Sequence, residues 1–428
     1  MRNKAISSKL FIKNRRKILQ KMPPHSMAVI HSQDLMPRNG DQFHPFRQDS
    51  DFFYATGIEQ ERSIVLFISD EVPEKQVQLC ILSPNPDIEM WEGEKLSVSK
   101  AQEISGISEI HTVDDFARIF TIYAQRAKII YLKRNENPRF SSYVKTCNDR
   151  FRKLIHKAYR HKEIRSFAPL LAECRIIKEP EEIELIREAC DITRNAFLKV
   201  LAHTKPGMYE YEIEALLTSE FLSRAAHGHA FAPIVAQGKN ACYLHYNTNT
   251  DMLEDGNLLF LDFGAEYANY ASDCSRTFPI NGTFSARQKE VYSAVLDVQK
   301  LTQDCMKPGV TIRTVHAQSC TFIEHKLLQL GLISQDEIDS QNPKKPAYFK
   351  YFMHGVSHFL GLDTHDVGEK DVELEPGMVL TCEPGIYIPE EGLGIRLEND
   401  ILITQNGNEN LCKDIPIEID DLYACMNR

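Results

Sequence analysis

The segments YFMHGVSHFLGLDTHDVG (351–368) and TCEPGIYIPEEGLGIRLEN (381–399) place histidines and glutamates among apolar, β-prone residues. The first segment carries His354, His358 and His365, and the second carries Glu383 and Glu398. A carboxylate in such a run needs a partner or a metal ion, because burial of an isolated charge is unfavourable. We therefore interpret these two segments as parts of one site.

A second pair of acids, Asp262 and Asp273, lies in LLFLDFGAEYANYASDCSRTF (258–278), which reads as a β-hairpin. The two aspartates are equally distant from the midpoint between Tyr267 and Ala268. In a symmetric hairpin with its tip there, they would face each other with Cβ atoms about 4.5–5.5 Å apart. Two ionised carboxylates at that distance repel each other, and a divalent cation would remove this repulsion.

The glutamates repeat this arrangement. Glu383 and Glu398 are equally distant from the midpoint between Glu390 and Glu391, where PEEG (389–392) is a plausible turn. Both hairpin predictions assume a symmetric register, and a single bulge would break either one. Together, the two acidic pairs and one imidazole predict a metal centre shared by the segments.

Four carboxylates and one histidine form a hard, oxygen-rich ligand set. Such a set favours two Mn²⁺ ions, with Zn²⁺, Co²⁺ or Fe²⁺ as alternatives. Two ions about 3.5–4 Å apart would bridge a water and convert it to hydroxide, so the expected chemistry is metal-assisted hydrolysis. The sequence contains no HExxH, no GxSxG and no P-loop, which excludes the corresponding catalytic classes.

The composition is that of a globular protein of 428 residues with a net charge of −10, which gives no support for nucleic-acid binding. The basic N-terminus is not followed by an apolar signal region, and no run approaches the roughly 18 apolar residues of a membrane span. Eleven cysteines without a CxxC pattern suit free thiols in a reducing cytoplasm. We therefore expect a cytoplasmic protein.

The chain is predicted to contain two domains. Short β-branched runs alternate with helical patterns in residues 1–165, which predicts an α/β domain. Residues 166–428 begin with helical patterns at KEPEEIELIREA (178–189) and continue with the hairpins described above, which predicts an α+β domain. The second domain carries the suspected metal centre.

The motifs LDFGAEY, SDCSRTF, MHGVSHFLGLDTHDVG, CEPGIYI and GIRLEND, in this order, closely resemble aminopeptidase P, the Xaa-Pro aminopeptidases of the pita-bread metallopeptidase family. RNGDQFHPFRQDSDFFYATG (38–57) resembles that family's N-terminal, creatinase-like domain. The resemblance covers nearly the whole chain. It implies an N-terminal α/β domain followed by a pita-bread catalytic domain.

The resemblance also implies roles for individual residues. The metal ligands would be Asp262, Asp273, His358, Glu383 and Glu398, with Glu383 also orienting or deprotonating the attacking water. His245 and His365 would act on the substrate carbonyl or move protons, His354 would line a pocket for proline, and Arg396 would support the acids. Trp91, the only tryptophan, falls at a position that touches substrate.

The implied reaction is removal of an N-terminal residue that precedes proline. Proline lacks an amide hydrogen and fixes φ, so a preshaped pocket is needed. The alternative enzyme is a prolidase, which cleaves only Xaa-Pro dipeptides; a non-catalytic peptide-binding relative is a further alternative, disfavoured because all five ligands are present. The family also implies a homo-oligomer, either a dimer or a tetramer.

Overall fold

The computed structural model describes residues 4–137 and 142–426. The chain forms two compact units: one spans Ala5–Arg175, and the other begins at Ile176 and also includes Lys4. The boundary predicted from sequence, after residue 165, lies inside a strand of the first unit, Glu163–Ser166. The first unit continues beyond that strand through a helix that ends at Arg175.

The described part of the first unit contains eight strands: β1 (Ser26–His31), β2 (Pro37–Asn39), β3 (Gln42–Phe43), β4 (Ile64–Ile68), β5 (Val77–Ile81), β6 (Glu109–Thr112), β7 (Ile129–Leu132) and β8 (Glu163–Ser166). Its helices are α1 (Ser8–Lys21), α2 (Ser50–Thr56), α3 (Pro86–Glu92), α4 (Val98–Ser105), α5 (Phe116–Arg126), α6 (Cys147–Ala158) and α7 (Ala168–Arg175).

Six of these strands form one mixed sheet in the order β6-β5-β4-β1-β7-β8. The β1–β7 and β7–β8 pairs are parallel, whereas β1 pairs with β4 in antiparallel fashion. All positions of β1, β4 and β5 are buried, as expected for central strands rich in β-branched residues. The α/β prediction for this part of the chain is confirmed.

The second unit contains helices α8 (Pro180–His203), α9 (Glu210–Ser223), α10 (Ala286–Cys305), α11 (Ile312–Gln329), α12 (Gln335–Asp339) and α13 (Ile419–Met426). Its strands are β9 (Gly228–His229), β10 (Ile234–Gln237), β11 (Leu258–Phe263), β12 (Ala265–Tyr267), β13 (Tyr270–Ala271), β14 (Cys274–Pro279), β15 (Val379–Cys382), β16 (Gly385–Ile388), β17 (Leu393–Arg396), β18 (Asn399–Thr404) and β19 (Gly407–Asn410).

Local sequence signals fix the starts of the long helices in this unit. Helix α8 begins at Pro180 because proline needs no hydrogen-bonding partner for its nitrogen in the first turn. Helix α10 has Ser285 as its N-cap, and Gln288 completes a capping box. A pair of long helices precedes each group of strands, α8 and α9 before β9 and α10 and α11 before β15, so the α+β prediction is confirmed.

The strands of the second unit form small antiparallel sheets, ordered β10-β11-β14, β13-β12-β9 and β15-β18-β19, and a β16–β17 hairpin. Asp262 lies within β11, whereas Asp273, Glu383 and Glu398 lie between strands, where the ladders are interrupted. None of the helices in the described ranges is long and apolar enough to cross a membrane.

Candidate metal centre

The long hairpin of β15–β18 and β16–β17 places two glutamates opposite each other. Gly385 pairs with Arg396 on one side of an interruption, and Cys382 pairs with Asn399 on the other. Both ladders keep the same symmetric register, so Glu383 and Glu398 face each other in the gap between them. The predicted glutamate register is therefore confirmed.

The aspartates lie in a hairpin whose register differs from the prediction. Asp262 faces Ser275, not Asp273, because the tip lies between Ala268 and Asn269. Both tip residues have positive φ, 51° and 67°, as a two-residue hairpin turn requires. The predicted tip, between Tyr267 and Ala268, was therefore wrong by one position. The sequence does not mark the true tip, because alanine rarely adopts positive φ and so gives no sign of a turn there.

The aspartates nevertheless come together. Asp273 lies two residues before Ser275, and residues two apart in a strand share a face. The regular strand pairing is interrupted at this point. Gly264 passes very close to the carbonyl of Ser272, which leaves no room for a Cβ atom at position 264. The carboxyl groups of Asp262 and Asp273 are close enough to interact directly.

His358 brings an imidazole to these acids. Its Nδ1 donates to the carbonyl of Phe359 at 3.0 Å, so its Nε2 carries the lone pair. That Nε2 lies 3.5 Å from Asp273 Oδ2 and 3.8 Å from Glu383 Oε1. Ligand atoms of Asp273, His358 and Glu398 lie within 4.8 Å of one another, a spacing that one metal ion can bridge.

Burial of the four acids strongly disfavours their ionised forms. Burial, followed by the neighbouring carboxylates, raises the pKa of Asp273 and of Glu398 well above the ordinary range. Burial and Glu398 raise the pKa of Glu383 to about 8. Burial also raises the pKa of Asp262, although the Arg396 charge opposes this shift. Without a cation, the site tends to retain protons at neutral pH.

Arg396 and Ser275 hold two of the acids in place. Arg396 donates from Nη2 to Asp262 Oδ2 and from Nε to Ser275 Oγ, the latter at 2.8 Å. Ser275 in turn donates its hydroxyl hydrogen to Glu398 Oε2 at 2.6 Å. One guanidinium therefore positions an acid from each hairpin, directly for Asp262 and through a hydroxyl for Glu398.

A chain of hydrogen bonds also fixes the tautomer of His354. Its Nδ1 donates to the carbonyl of Gly355 at 2.8 Å, so Nε2 accepts from the Tyr387 hydroxyl, also at 2.8 Å. Arg396 Nη1 donates to the same Tyr387 oxygen at 3.2 Å. Burial and the nearby Arg396 charge lower the pKa of His354 to about 3, so this imidazole is neutral.

The remaining predicted site residues have different environments. The ring of His365 lies 4.4 Å from that of His358, centroid to centroid. His245 is exposed, in the turn after Cys242, and lies near enough to Asp262 and His354 to interact electrostatically with both. Trp91 belongs to α3 in the other unit, where it is 86% exposed.

Two residues at the centre, Ser275 and Tyr387, were missed in the sequence analysis. A signal for each was present, because each lies at an even spacing along the chain from a predicted ligand. Ser275 is two residues after Asp273, and Tyr387 is four residues after Glu383. A polar side chain on the same strand face as a buried acid is a candidate support for that acid.

The family model described as metallopeptidase family M24 matches residues 184–405, which contain all five predicted ligands. The chain belongs to metallopeptidase family M24. The model described as the aminopeptidase P N-terminal domain matches residues 11–131, in the first unit.

Other members of family M24 match along nearly the whole chain. The Xaa-Pro aminopeptidase of Haemophilus influenzae is 35% identical and covers 97% of each chain. The solved structure of E. coli aminopeptidase P with the inhibitor Pro-Leu has a TM-score of 0.89 at 32% identity, covering 99% of each chain. The structure of Pseudomonas aeruginosa aminopeptidase PepP has a TM-score of 0.90 at 31% identity, covering 99% of this chain and 98% of that one.

These matches establish an aminopeptidase P N-terminal domain followed by the M24 pita-bread catalytic domain. This chain is therefore a metal-dependent aminopeptidase, which is a hydrolase that binds divalent metal ions. Its full-length relatives are Xaa-Pro aminopeptidases, so the prolidase alternative is not favoured.

Proposed function

We propose that this M24 enzyme removes an N-terminal residue from peptides with proline in the second position, using two divalent cations, preferably Mn²⁺. The observation that carries the proposal is the convergence of three buried acids and the half-buried Glu383 around Nε2 of His358. The names of the full-length relatives support the proline preference.

The residues at the centre fit divalent cations. The Nε2 atom of His358 faces two carboxylate oxygens, at 3.5 and 3.8 Å, and the Nδ1–H on the other side of the ring is held by the Phe359 carbonyl. Asp262 Oδ1 is buried and has no hydrogen-bond partner among the described residues. Ligand atoms bound about 2.1 Å from one ion are separated by about 3–4 Å, which matches the spacing around His358.

We assign Asp262, Asp273, His358, Glu383 and Glu398 as the ligands. Divalent cations held there would polarise the scissile carbonyl and lower the pKa of an attacking water. The predominance of oxygen ligands supports Mn²⁺. Zn²⁺ is the main metal for comparison, because a zinc-substituted E. coli aminopeptidase P has been solved in complex with product.

Glu383 is assigned as the general base. Its side chain is 16% exposed, more than those of Asp273 and Glu398, so it is accessible to a water molecule. Its high pKa in the metal-free chain reflects burial and the facing Glu398 charge, and a bound cation would lower it. Glu383 would take the proton of the attacking water.

We assign the histidines to the substrate. The ring of His354 lies 4.7 Å from that of Phe352 and 5.5 Å from that of Tyr387, which gives an aromatic wall against which a proline ring can pack. His365 and His245 would donate to the substrate carbonyl or pass a proton to the leaving proline nitrogen. Trp91, largely exposed, would pack against the peptide.

The decisive experiment compares Ala-Pro-Leu-Ala, Ala-Ala-Leu-Ala and the dipeptide Ala-Pro as substrates of the Mn²⁺-loaded enzyme. We expect release of alanine and Pro-Leu-Ala from the first peptide, and much slower cleavage of the second. Hydrolysis of the dipeptide alone would overturn the assignment in favour of a prolidase. Elemental analysis of the active, Mn²⁺-loaded enzyme should give two Mn²⁺ ions per chain.

A further inference from the structure

A second cluster of potential ligands lies buried behind the metal centre. It consists of Cys190 on α8, Asp400 on β18 and Cys412 in the turn after β19, all at most 2% exposed. Their ligand atoms lie within 4.8 Å of one another. Cys190 Sγ lies 3.3 Å and Cys412 Sγ 3.7 Å from Asp400 Oδ2. We call this set the thiol cluster.

These separations match those around a tetrahedral Zn²⁺ ion. Zinc lies about 2.3 Å from sulfur and about 2.0–2.2 Å from carboxylate oxygen, so its ligand atoms are about 3.5–3.8 Å apart. Helix α8 and the turn after β19 therefore each contribute a sulfur atom, and β18 contributes a carboxylate. Cys274, fully buried on β14, interacts with Cys412 at the side of this group.

Two features of the thiol cluster are unexplained if it is merely packed core. Asp400 Oδ1 is buried and has no hydrogen-bond partner within the described ranges. Arg276, also fully buried, acts electrostatically on Cys412, yet its hydrogen bonds to the described residues go to neutral acceptors, which are four main-chain carbonyls and the Asn399 amide oxygen. An unpaired carboxylate oxygen and an unneutralised guanidinium are both costly in a core.

We propose that the thiol cluster is a second metal site that binds one thiophilic divalent cation of the Zn²⁺ class. Cys190, Cys412 and Asp400 are its three protein ligands, and Cys274, which contacts Cys412, stays a neutral thiol beside the site. Binding releases the thiol protons of Cys190 and Cys412 to solvent. Two thiolates and one carboxylate around a divalent ion leave one negative charge, which the Arg276 guanidinium balances.

This site differs in chemistry from the catalytic centre. Soft sulfur ligands favour zinc-like ions, whereas the oxygen-rich centre favours Mn²⁺. The two sites of one chain would therefore bind different metals. The two sites are mechanically linked, because Asp400 Oδ2 also accepts the main-chain N–H of Asp273 at 3.0 Å. An ion in the thiol cluster would hold Asp400 still and thereby fix the backbone of a catalytic ligand.

Cobalt tests the proposal, because only sulfur ligands give an intense thiolate-to-cobalt charge-transfer band in the near ultraviolet. The five assigned ligands of the catalytic centre contain no sulfur, so the band reports the thiol cluster alone. The full chain is produced in cells supplied with Co²⁺, so that the buried site fills as the chain folds. It is then purified under reducing conditions and exchanged into Mn²⁺.

We expect the wild type to retain one Co²⁺ per chain with the sulfur band, and Cys412→Ser and Cys190→Ala each to lose the band. Cys80→Ser, at a buried thiol of strand β5, is the matched control and should keep it. Circular dichroism and thermal unfolding of each variant check that it is folded.

Absence of the band in the wild type would overturn the proposal without reference to any variant. Persistence of the full band in Cys412→Ser or in Cys190→Ala would do the same, because the sulfur would then come from elsewhere. Loss of the band in Cys80→Ser as well would also count against the thiol cluster as its source.

Discussion

The Tyr387 hydroxyl donates a 2.8 Å hydrogen bond to His354 Nε2, and Arg396 donates to the same hydroxyl oxygen. This relationship ties the arginine that anchors Asp262 to the imidazole proposed for proline recognition. It also fixes which nitrogen of His354 is protonated. A single phenol therefore links the arginine that supports a proposed metal ligand to a histidine proposed to bind substrate.

Removal of this phenol by Tyr387→Phe should lower kcat/KM for Ala-Pro-Leu-Ala. The substitution leaves His354 Nε2 buried without a donor, which costs about 1–3 kcal/mol, or roughly 5- to 150-fold if expressed fully in the transition state. The control is Tyr292→Phe, a fully buried tyrosine whose hydroxyl donates to the Ile417 carbonyl. It should lose stability but keep its kcat/KM; equal activity of the two variants would contradict a role for Tyr387.

Glu383→Gln should lower kcat by about 10²–10⁴-fold, because an amide cannot accept the proton of the attacking water. Loss of one negative ligand should also weaken metal binding, measured as the free metal concentration that restores half of the bound ions. Glu390→Gln, at the exposed tip of the same hairpin, is the control and should behave as the wild type. Full turnover by Glu383→Gln would remove it from the mechanism.

Ser275→Ala should weaken metal affinity by about 10–100-fold, the usual cost of losing a residue that orients a ligand. The hydroxyl both donates to Glu398 and accepts from Arg396, so its loss frees both side chains. Ser319→Ala removes an equally buried serine hydroxyl, bonded to Thr302, and should leave metal affinity unchanged. Equal affinities for these two variants would show that Ser275 only packs.

The metal-free enzyme should lose stability as pH rises. The folded chain raises the pKa of Glu383 from its ordinary value of 4.5 to about 8, so between these values it binds more protons than the unfolded chain. Stability therefore falls with increasing pH across this window. Asp273 and Glu398 shift in the same direction and strengthen the effect.

Bound metal replaces these protons, so the difference in Tm between metal-loaded and chelated enzyme should grow from pH 5 to pH 8. Thermal unfolding with and without chelator measures this difference at each pH. A difference that stays constant with pH would mean that the acids are already ionised without metal.

Trp91 provides an intrinsic probe, because it is the only tryptophan in the chain and is largely exposed. If it packs against substrate, binding of Ala-Pro-Leu-Ala to the slow Glu383→Gln variant should shift its fluorescence to shorter wavelength. Binding should also protect it from a soluble quencher. Unchanged emission at saturating peptide would remove Trp91 from the substrate site.

The sequence predicted the glutamate pair correctly because a hairpin register follows from its turn, and PEEG marks that turn clearly. Gly392 has φ of 61°, a conformation that glycine adopts easily. The aspartate pair has no such marker, since the tip uses Ala268 and Asn269. Tertiary packing imposes that turn, and a local pattern could not reveal it.

The supporting network was harder to predict for another reason. Arg396 was recognisable from its spacing to Glu398, but its hydrogen bond to Ser275 joins positions 121 residues apart. Alternation along one strand cannot identify a partner on another hairpin.

The preference for Mn²⁺, the cytoplasmic location and the homo-oligomeric assembly stay predictions.

The interrupted hairpin that carries Glu383 and Glu398 also constrains how the enzyme can be altered. Each glutamate is held by ladders on both of its sides, so the segment beyond them can change length without moving either acid, provided that both ladders persist. A peptide inserted between Glu390 and Glu391 should therefore be tolerated, whereas one residue inserted between Glu383 and Gly385 would turn a catalytic carboxylate to the opposite face. The hairpin tip is thus a suitable place to insert a tag or a sensor. It is only a few residues along the chain from the two glutamates, and the paired strands keep their positions independent of its length.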